Sequence, residues 1–167
     1  MKVIKLTRNK QALVDDEDFD KLSKYKWTAC LKRKNPDKLY ELWVAVRGIK
    51  SDKTKTGRTN INMHQMIMGF PAKQIDHINH NSLDNRQCNL RLVTPTENAA
   101  NKRKQKNNKS GYRGVWFDKD LKKFRAAIRP HNKTIHLGCF LTKEEAATMW
   151  NQEALKYWGK YACLNIV

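Results

Sequence analysis

From residue 27 onward, apolar and polar positions alternate at a period of two, and the pattern predicts strands before any chemistry is considered. Residues 27–31 and 39–46 are rich in β-branched and aromatic side chains, with Lys34, Asn35, Pro36 and Asp37 between them as a turn. A polar turn over 51–57 leads to a third strand at 59–63. Residues 64–68 then predict a short apolar helix stopped at Gly69. Upstream, 12–14 predict a further strand. The acids at 15–18 belong to the N-terminus of a short helix, where negative charge meets the positive end of the helix dipole. Phe19 and Leu22 form its inward face. The N-terminal part is therefore expected to be a small antiparallel sheet bracing the segment that follows.

That segment, residues 73–103, carries the candidate chemistry. Residues 73–77 end as a strand, 79–88 form a polar loop, and 90–93 alternate apolar with basic as a second strand. Thr94, Pro95, Thr96 and Glu97 then open a helix, with threonine as N-cap, proline at the first position and glutamate three after the cap. Asp76 and His77 fall at the end of the first strand, and Asn98 in the first turn of the helix. A hard divalent cation takes oxygen ligands at about 2.1 Å and draws only one or two of them from protein. Asp76 and Asn98 suit that role for Mg²⁺ or Mn²⁺. An uncoordinated His77, with an ordinary pKa of about 6.5, suits removing a proton from water. Metal, base and phosphate together make a hydrolytic phosphodiesterase site. Singly, each residue carries little, because an Asp-His pair in a loop is more often a hydrogen-bonded turn.

The combination resembles a known family. Asp76-His77, Asn89 within Cys88-Asn89-Leu90, and Thr94 to Asn98 match the HNH nucleases, in particular the homing endonucleases of bacteriophages. The resemblance implies a ββα-metal fold in which Asp76 and Asn98 bind one divalent metal and His77 is the general base. It also implies that Asn89 pins the loop so that the histidine keeps its orientation. His80 departs from the pattern, since relatives often carry a small residue such as glycine there; a phosphate contact and an alternative base are both open to it. His64 is open in the same way, between reaching the site and packing its short helix.

Charge narrows the partner. The chain has 34 Lys and Arg against 16 Asp and Glu, a formal net charge of +18 in 167 residues. A surplus of this size repels itself in the compact state, and a polyanion, nucleic acid above all, is the economical explanation. No hydrophobic run approaches the roughly 18 residues of a membrane span, and the opening MKVIKLTRNK lacks the apolar centre of a signal peptide. A cytoplasmic location, in a bacterial host cell if the resemblance holds, is the expectation. The four cysteines, Cys30, Cys88, Cys139 and Cys163, are too far apart for a structural zinc site and read as reduced, mostly buried thiols.

Beyond the motif, residues 102–109 have no apolar periodicity and supply Lys102, Arg103, Lys104 and Lys106 as a basic linker suited to phosphate contacts. Residues 112–117, 123–129 and 133–140 predict three strands. Thr142 to Glu145 form a second capping box, and Ala146, Ala147, Trp150, Ala154 and Trp158 recur at helical spacing before Gly159. Phe124, Ala126 and Ile128 share one strand face and are expected on that helix. Arg125 and Arg129 share the other, where arginine can pair with guanine in a groove. Residues 110–115, 124–129, 137–140 and 144–147 resemble the Apetala-2/ethylene-response-factor DNA-binding domain. That resemblance adds Arg113, Trp116, Thr134 and His136 to the DNA-facing candidates. Trp116 and His136 stand where the plant domains typically have Arg and Trp, so the plant target sequence does not transfer.

The expectation is an α+β protein: an HNH nuclease domain over 1–101, a linker over 102–109, and a three-stranded sheet on one helix over 110–167. Its activity would be metal-dependent, sequence-dependent cleavage of double-stranded DNA by a monomer. The alternative is a DNA-binding regulator with an inactive nuclease motif.

Overall fold

Strands β1 (Lys2–Lys5) and β2 (Gln11–Val14) form an antiparallel hairpin. Helix α1 (Asp16–Ser23) follows directly, its first turn acidic as the dipole favours, with Asp16 also paired to the N-terminal amine at 2.9 Å. Leu22 is fully buried, and its carbonyl accepts the Trp27 indole N–H at 2.9 Å. The chain then builds a sheet of β3 (Thr28–Lys34), β4 (Glu41–Lys50) and β5 (Arg58–Asn62), antiparallel in that order. Helix α2 (Met63–Ile67) closes the sheet, and its Met63 is fully buried with Ala12, Val14, Leu22 and Ala29 in one core. A separate two-stranded ladder, β6 (Gln74–His77) with β7 (Leu90–Val93), sets Asp76 opposite Arg91 and His77 opposite Leu90.

The computed structural model describes residues 1–34, 41–102 and 108–167. Contacts divide it into two compact units, Met1–Val93 and Thr94–Val167. The expected turn at Asn35, Pro36 and Asp37 lies outside the described residues, as do Arg103, Lys104 and Lys106 of the basic run.

The second unit opens with α3 (Pro95–Ala100), capped by Thr94 and Glu97 reciprocally. It continues with β8 (Val115–Asp118), β9 (Lys123–Ile128) and β10 (Ile135–Phe140), an antiparallel sheet with β9 in the centre. Helix α4 (Lys143–Trp158) has its own capping box at Thr142 and ends at Gly159. Ala126 and Ile128 face α4 with Phe124 beside them, against Ala146, Ala147, Trp150 and Ala154, as the alternation predicts. The protein is thus a mixed α/β chain of small antiparallel sheets, and among the described residues no helix is long and apolar enough to cross a membrane.

Two expectations change. Strand β8 begins at Val115 rather than 112, because Gly111 and Gly114 adopt left-handed backbone at φ 81° and 72° and make the approach a turn. The thiols are not mostly buried: Cys88 and Cys139 are exposed, Cys30 and Cys163 half-buried, and none of the four is in a disulfide among the described residues. Cys139 sits on the outward side of β10, and Cys88 in a tight turn over Gln87–Asn89.

Gly114 is the most constrained glycine. A Cβ there would lie 2.1 Å from Trp150 Nε1 and 2.7 Å from the Ala127 carbonyl, at a φ that disfavours any L side chain. Gly114→Ala should destabilise the second unit by about 2–4 kcal/mol, from overpacking with backbone strain added. Urea denaturation should show it as a lower midpoint with an unchanged slope.

Candidate active site

His77 ends β6, where the chain leaves the ladder for the loop that returns at β7. Three backbone bonds fix that loop to β2 and to the ladder. Leu13 N–H donates to the Leu83 carbonyl and Asn85 N–H to the Leu13 carbonyl, both at 2.8 Å, and Ile78 N–H donates to the Asn89 carbonyl at 2.9 Å. Asn89, 5 % exposed, works from inside: its Oδ1 accepts Asn79 N–H at 3.0 Å and its Nδ2 donates to the Asp84 carbonyl at 2.7 Å. From α1, Asp15 accepts Gln87 N–H at 2.7 Å and Asp18 accepts the Gln87 side-chain amide at 3.0 Å. The acids at 15–18 therefore serve both a helix start and the loop's far end.

This framework sets the histidine. Asn85, 1 % exposed, places its Oδ1 3.3 Å from His77 Nε2. An amide oxygen only accepts, so Nε2 carries the proton in that bond and the lone pair falls on Nδ1. Burial lowers the His77 pKa, opposed by the Asn85 bond and by the charges of Asp76 and Asp84. His64, from α2, meets the same ring edge to face, with centroids 5.2 Å apart and planes at 86°. Burial, with His77 adding to it, brings His64 down to about 4.

Asp76 is held by its cross-strand neighbour. Arg91 donates Nε at 3.0 Å and Nη2 at 2.9 Å to Asp76 Oδ2, and both side chains are nearly buried at 13 % and 10 % exposure. Among the described residues no three His, Cys, Asp or Glu side chains gather into a metal cluster. The Asp76 carboxylate is the oxygen donor type that a hard ion takes beside water and phosphate. Asn98 lies on α3, in the second unit. His80 adopts φ 61°, the left-handed region where glycine is at ease, and its N–H closes a turn on the His77 carbonyl at 3.0 Å.

The candidates of the second unit part company. Arg113 donates Nη2 to the Ala99 carbonyl at 3.0 Å and Nη1 to the carbonyls of Ala100 and Lys102. It also lies over Trp150 and Trp158, at 5.1 and 5.8 Å. Its guanidinium therefore finishes α3 rather than standing out on the sheet. Arg125 is aligned with Trp116 and Cys139 across the sheet and pairs through Nε with Asp118 at 3.2 Å. His136 meets the exposed Trp116 edge on at 6.3 Å. Arg129 follows the end of β9 and lines a cleft of about 520 Å³ with Arg113, His131, Trp150 and Trp158, so it does not continue the row of Arg125. Thr134 and Lys102 are exposed outside the regular elements.

Sequence reasoning did not find Asn85, Asp84 or Arg91, and left His64 undecided. A polar loop of ten residues gives no sign of which amide turns inward. Arg91 opposite Asp76 was the one legible clue, as a charge pair in ladder register.

The HNH endonuclease family matches residues 65–100, which hold Asp76, His77, Asn89 and Asn98. Over 91 residues the chain is 34 % identical to an uncharacterised HNH endonuclease, L560, of Acanthamoeba polyphaga mimivirus, covering 54 % of this chain and 46 % of that protein. Over 81 residues it is 37 % identical to Protein 3.8 of Escherichia phage T7, covering 47 % and 67 % respectively. Residues 65–100 are thus an HNH endonuclease domain, and the chain spans about half the length of the mimivirus protein and two thirds of the phage protein. No solved structure matches it.

The depressed His64 pKa has a consequence for stability. Between about 4 and 6.5 the unfolded chain binds a proton that the folded chain refuses, so stability is present at neutral pH and falls as the solution is acidified through that window. From pH 7 to pH 5 the loss through His64 should be about 1 kcal/mol after allowance for its partial exposure. Urea titrations at the two pH values should show a smaller loss for His64→Phe than for wild type.

Proposed function

We propose that this protein is a metal-dependent endonuclease that hydrolyses a phosphodiester of double-stranded DNA, with His77 as general base. The observation that carries the reading is the largely buried His77 imidazole, held 3.3 Å from Asn85 Oδ1 and adjacent in sequence to a carboxylate held by Arg91. Neutrality matters because only the unprotonated ring can take a proton, and burial favours that form.

In the proposed reaction His77 Nδ1 takes a proton from a water as its oxygen attacks phosphorus in line, and the bond to the 3′ oxygen breaks. Nε2 stays bonded to Asn85, which spreads the charge arriving on the ring. Asp76 and, by the family resemblance, Asn98 are the proposed ligands of one Mg²⁺ or Mn²⁺ ion. When bound, the ion supplies positive charge to the phosphate and leaving oxygens. Arg91 fixes the Asp76 carboxylate so that its direction does not depend on the ion. Asn89 holds the loop and touches no reacting atom.

Site choice is assigned to the second unit, in the manner of a phage homing endonuclease. The supports are the resemblance to the Apetala-2/ethylene-response-factor domain and the outward row of Trp116, Arg125 and His136. Thr134, Arg129 and Lys102 are assigned to the DNA backbone around it, with Arg103, Lys104 and Lys106 by charge alone. Arg113 is left out, because its guanidinium is committed to α3. A monomer with one motif would nick a single strand.

The test is conversion of supercoiled plasmid to open circle by the full chain with Mg²⁺ and with chelator. His77→Ala should lower the rate by about 10²–10⁴-fold while leaving DNA affinity within a factor of two or so. Wild-type cleavage that ignores chelator, or a His77→Ala protein that cuts normally over pH 6–9, refutes the assignment. DNA binding with no cleavage by wild type leaves the regulator in its place. For site choice, Arg125→Ala should reduce the preference for a selected duplex over random duplex about tenfold. Lys102→Ala should weaken both alike and lower the salt slope by about one unit. Equal preference ratios for the two variants would make the sheet a phosphate clamp.

A further inference from the structure

Nothing in the proposed reaction uses His64, yet the fold fixes it with care. Met63 before it is fully buried. The Asn62–Gln65 capping box locks the first turn, with Gln65 Oε1 accepting Asn62 N–H at 3.0 Å and Asn62 Nδ2 at 2.8 Å. Asn62 is itself paired with Val46 on β4. The His64 carbonyl accepts Met68 N–H at 3.0 Å. A histidine that merely filled surface space would need none of this anchoring. Its ring ends 5.2 Å from that of His77, at 86°.

The geometry points to His64 as a positioning residue, a ring set across the His77 imidazole that blocks its rotation and keeps Nδ1 aimed at the attacking water. The inference rests on His77 being the base. The hydrogen bond from His77 Nε2 to Asn85, at 3.3 Å, is a long one. A tilt of the ring carries Nδ1 away from its line of action. A second aromatic ring at a right angle opposes that tilt, since edge-to-face contact is lost as soon as either plane turns. The backbone of α2 supplies the rigidity, so the restraint does not depend on a bound ligand. Burial keeps His64 neutral, and it adds no like charge when His77 takes up a proton. The proposed role needs a ring of this size, and no proton on it.

This separates His64 from an acid or base by experiment. In the full chain with Mg²⁺ and supercoiled plasmid, His64→Ala and His64→Gln should lower kcat about 10–100-fold with KM within about threefold. His64→Phe, which keeps a ring and has no ionisable nitrogen, should return kcat to within about threefold of wild type. Imidazole ¹⁵N spectra of the free protein give a reading that does not require cleavage. His77 should hold one tautomer in wild type and His64→Phe, and average between two in His64→Gln. Circular dichroism melts confine the comparison to folded proteins, and if His64→Ala does not fold, the Gln and Phe variants decide. A His64→Gln protein with wild-type kcat and a single His77 tautomer overturns the proposal. So does a His64→Phe protein as slow as His64→Gln, which would give the imidazole its own chemical part. A wild-type protein that does not cut counts against the endonuclease reading, while the spectra still decide whether His64 orients His77.

Discussion

A carboxylate that is 2 % exposed must find charged and hydrogen-bonding partners, or it takes up a proton. Asp84 finds them inside its own loop. Arg86 donates Nε and Nη2 at 2.7 Å each, and Asn79 donates its side-chain amide at 2.8 Å. The Arg86 bonds hold the Asp84 carboxyl below the usual carboxylate range. An ion pair of this kind is a weak source of net stability, because desolvation offsets much of the attraction. Its effect is to reject other loop conformations, since any that separates the pair leaves a buried charge alone. With Asp84 fixed, its carbonyl is in place for Asn89, and its neighbour Asn85 is in place for both Leu13 and His77. The orientation of one imidazole thus descends from an ion pair whose carboxylate is buried.

The second unit solves a different problem. Its sheet is backed by alanines, Ala126 against Ala146 and Ala147, so sheet and helix approach closely and leave Trp150 to fill the remaining space. The fit extends to Gly114, where no side chain has room. Small residues inside leave the larger ones outside, and Trp116 and Phe117 are exposed on β8. Arg113 and Arg125 show how context divides one residue type. The first lies among α3 carbonyls and indole rings. The second is held by Asp118, whose Oδ1 already accepts the N–H groups of Asp120 and Leu121 at 3.0 Å.

Strands and capped helices were legible because their signals are local. Residues 90–93 were read to the residue, and both capping boxes formed as written, since Thr and Glu three apart satisfy helix-end donors wherever they occur. Helix α1 followed from its acids and from Leu22. Loop interiors were not legible. Asn79, Asn81, Asn85 and Asn89 are one residue type in one loop, and only two are buried, a difference set by β2 from sixty or more residues away. His64 was undecided for the same reason, because its neighbour is thirteen positions on. Arg113 was placed by the resemblance and Arg129 by strand alternation, and glycine turns before β8 and the end of β9 take both off the sheet. The cysteines were misjudged by composition, as the face of β10 decides the exposure of Cys139.

Helix α3 counts with the second unit, tied to it by Arg113 and by the Cys163 N–H on the Ala100 carbonyl at 3.3 Å. Under the proposed division of labour, a change of target means trading one such unit for another. In this chain the trade would not be clean. A crossover between Val93 and Thr94 carries Asn98 away with the incoming piece. One placed after residue 101 keeps Asn98 but strips its helix of the arginine that closes its end. Trading either piece alone would therefore part the proposed ligand Asn98 from Asp76, or α3 from the arginine that closes it.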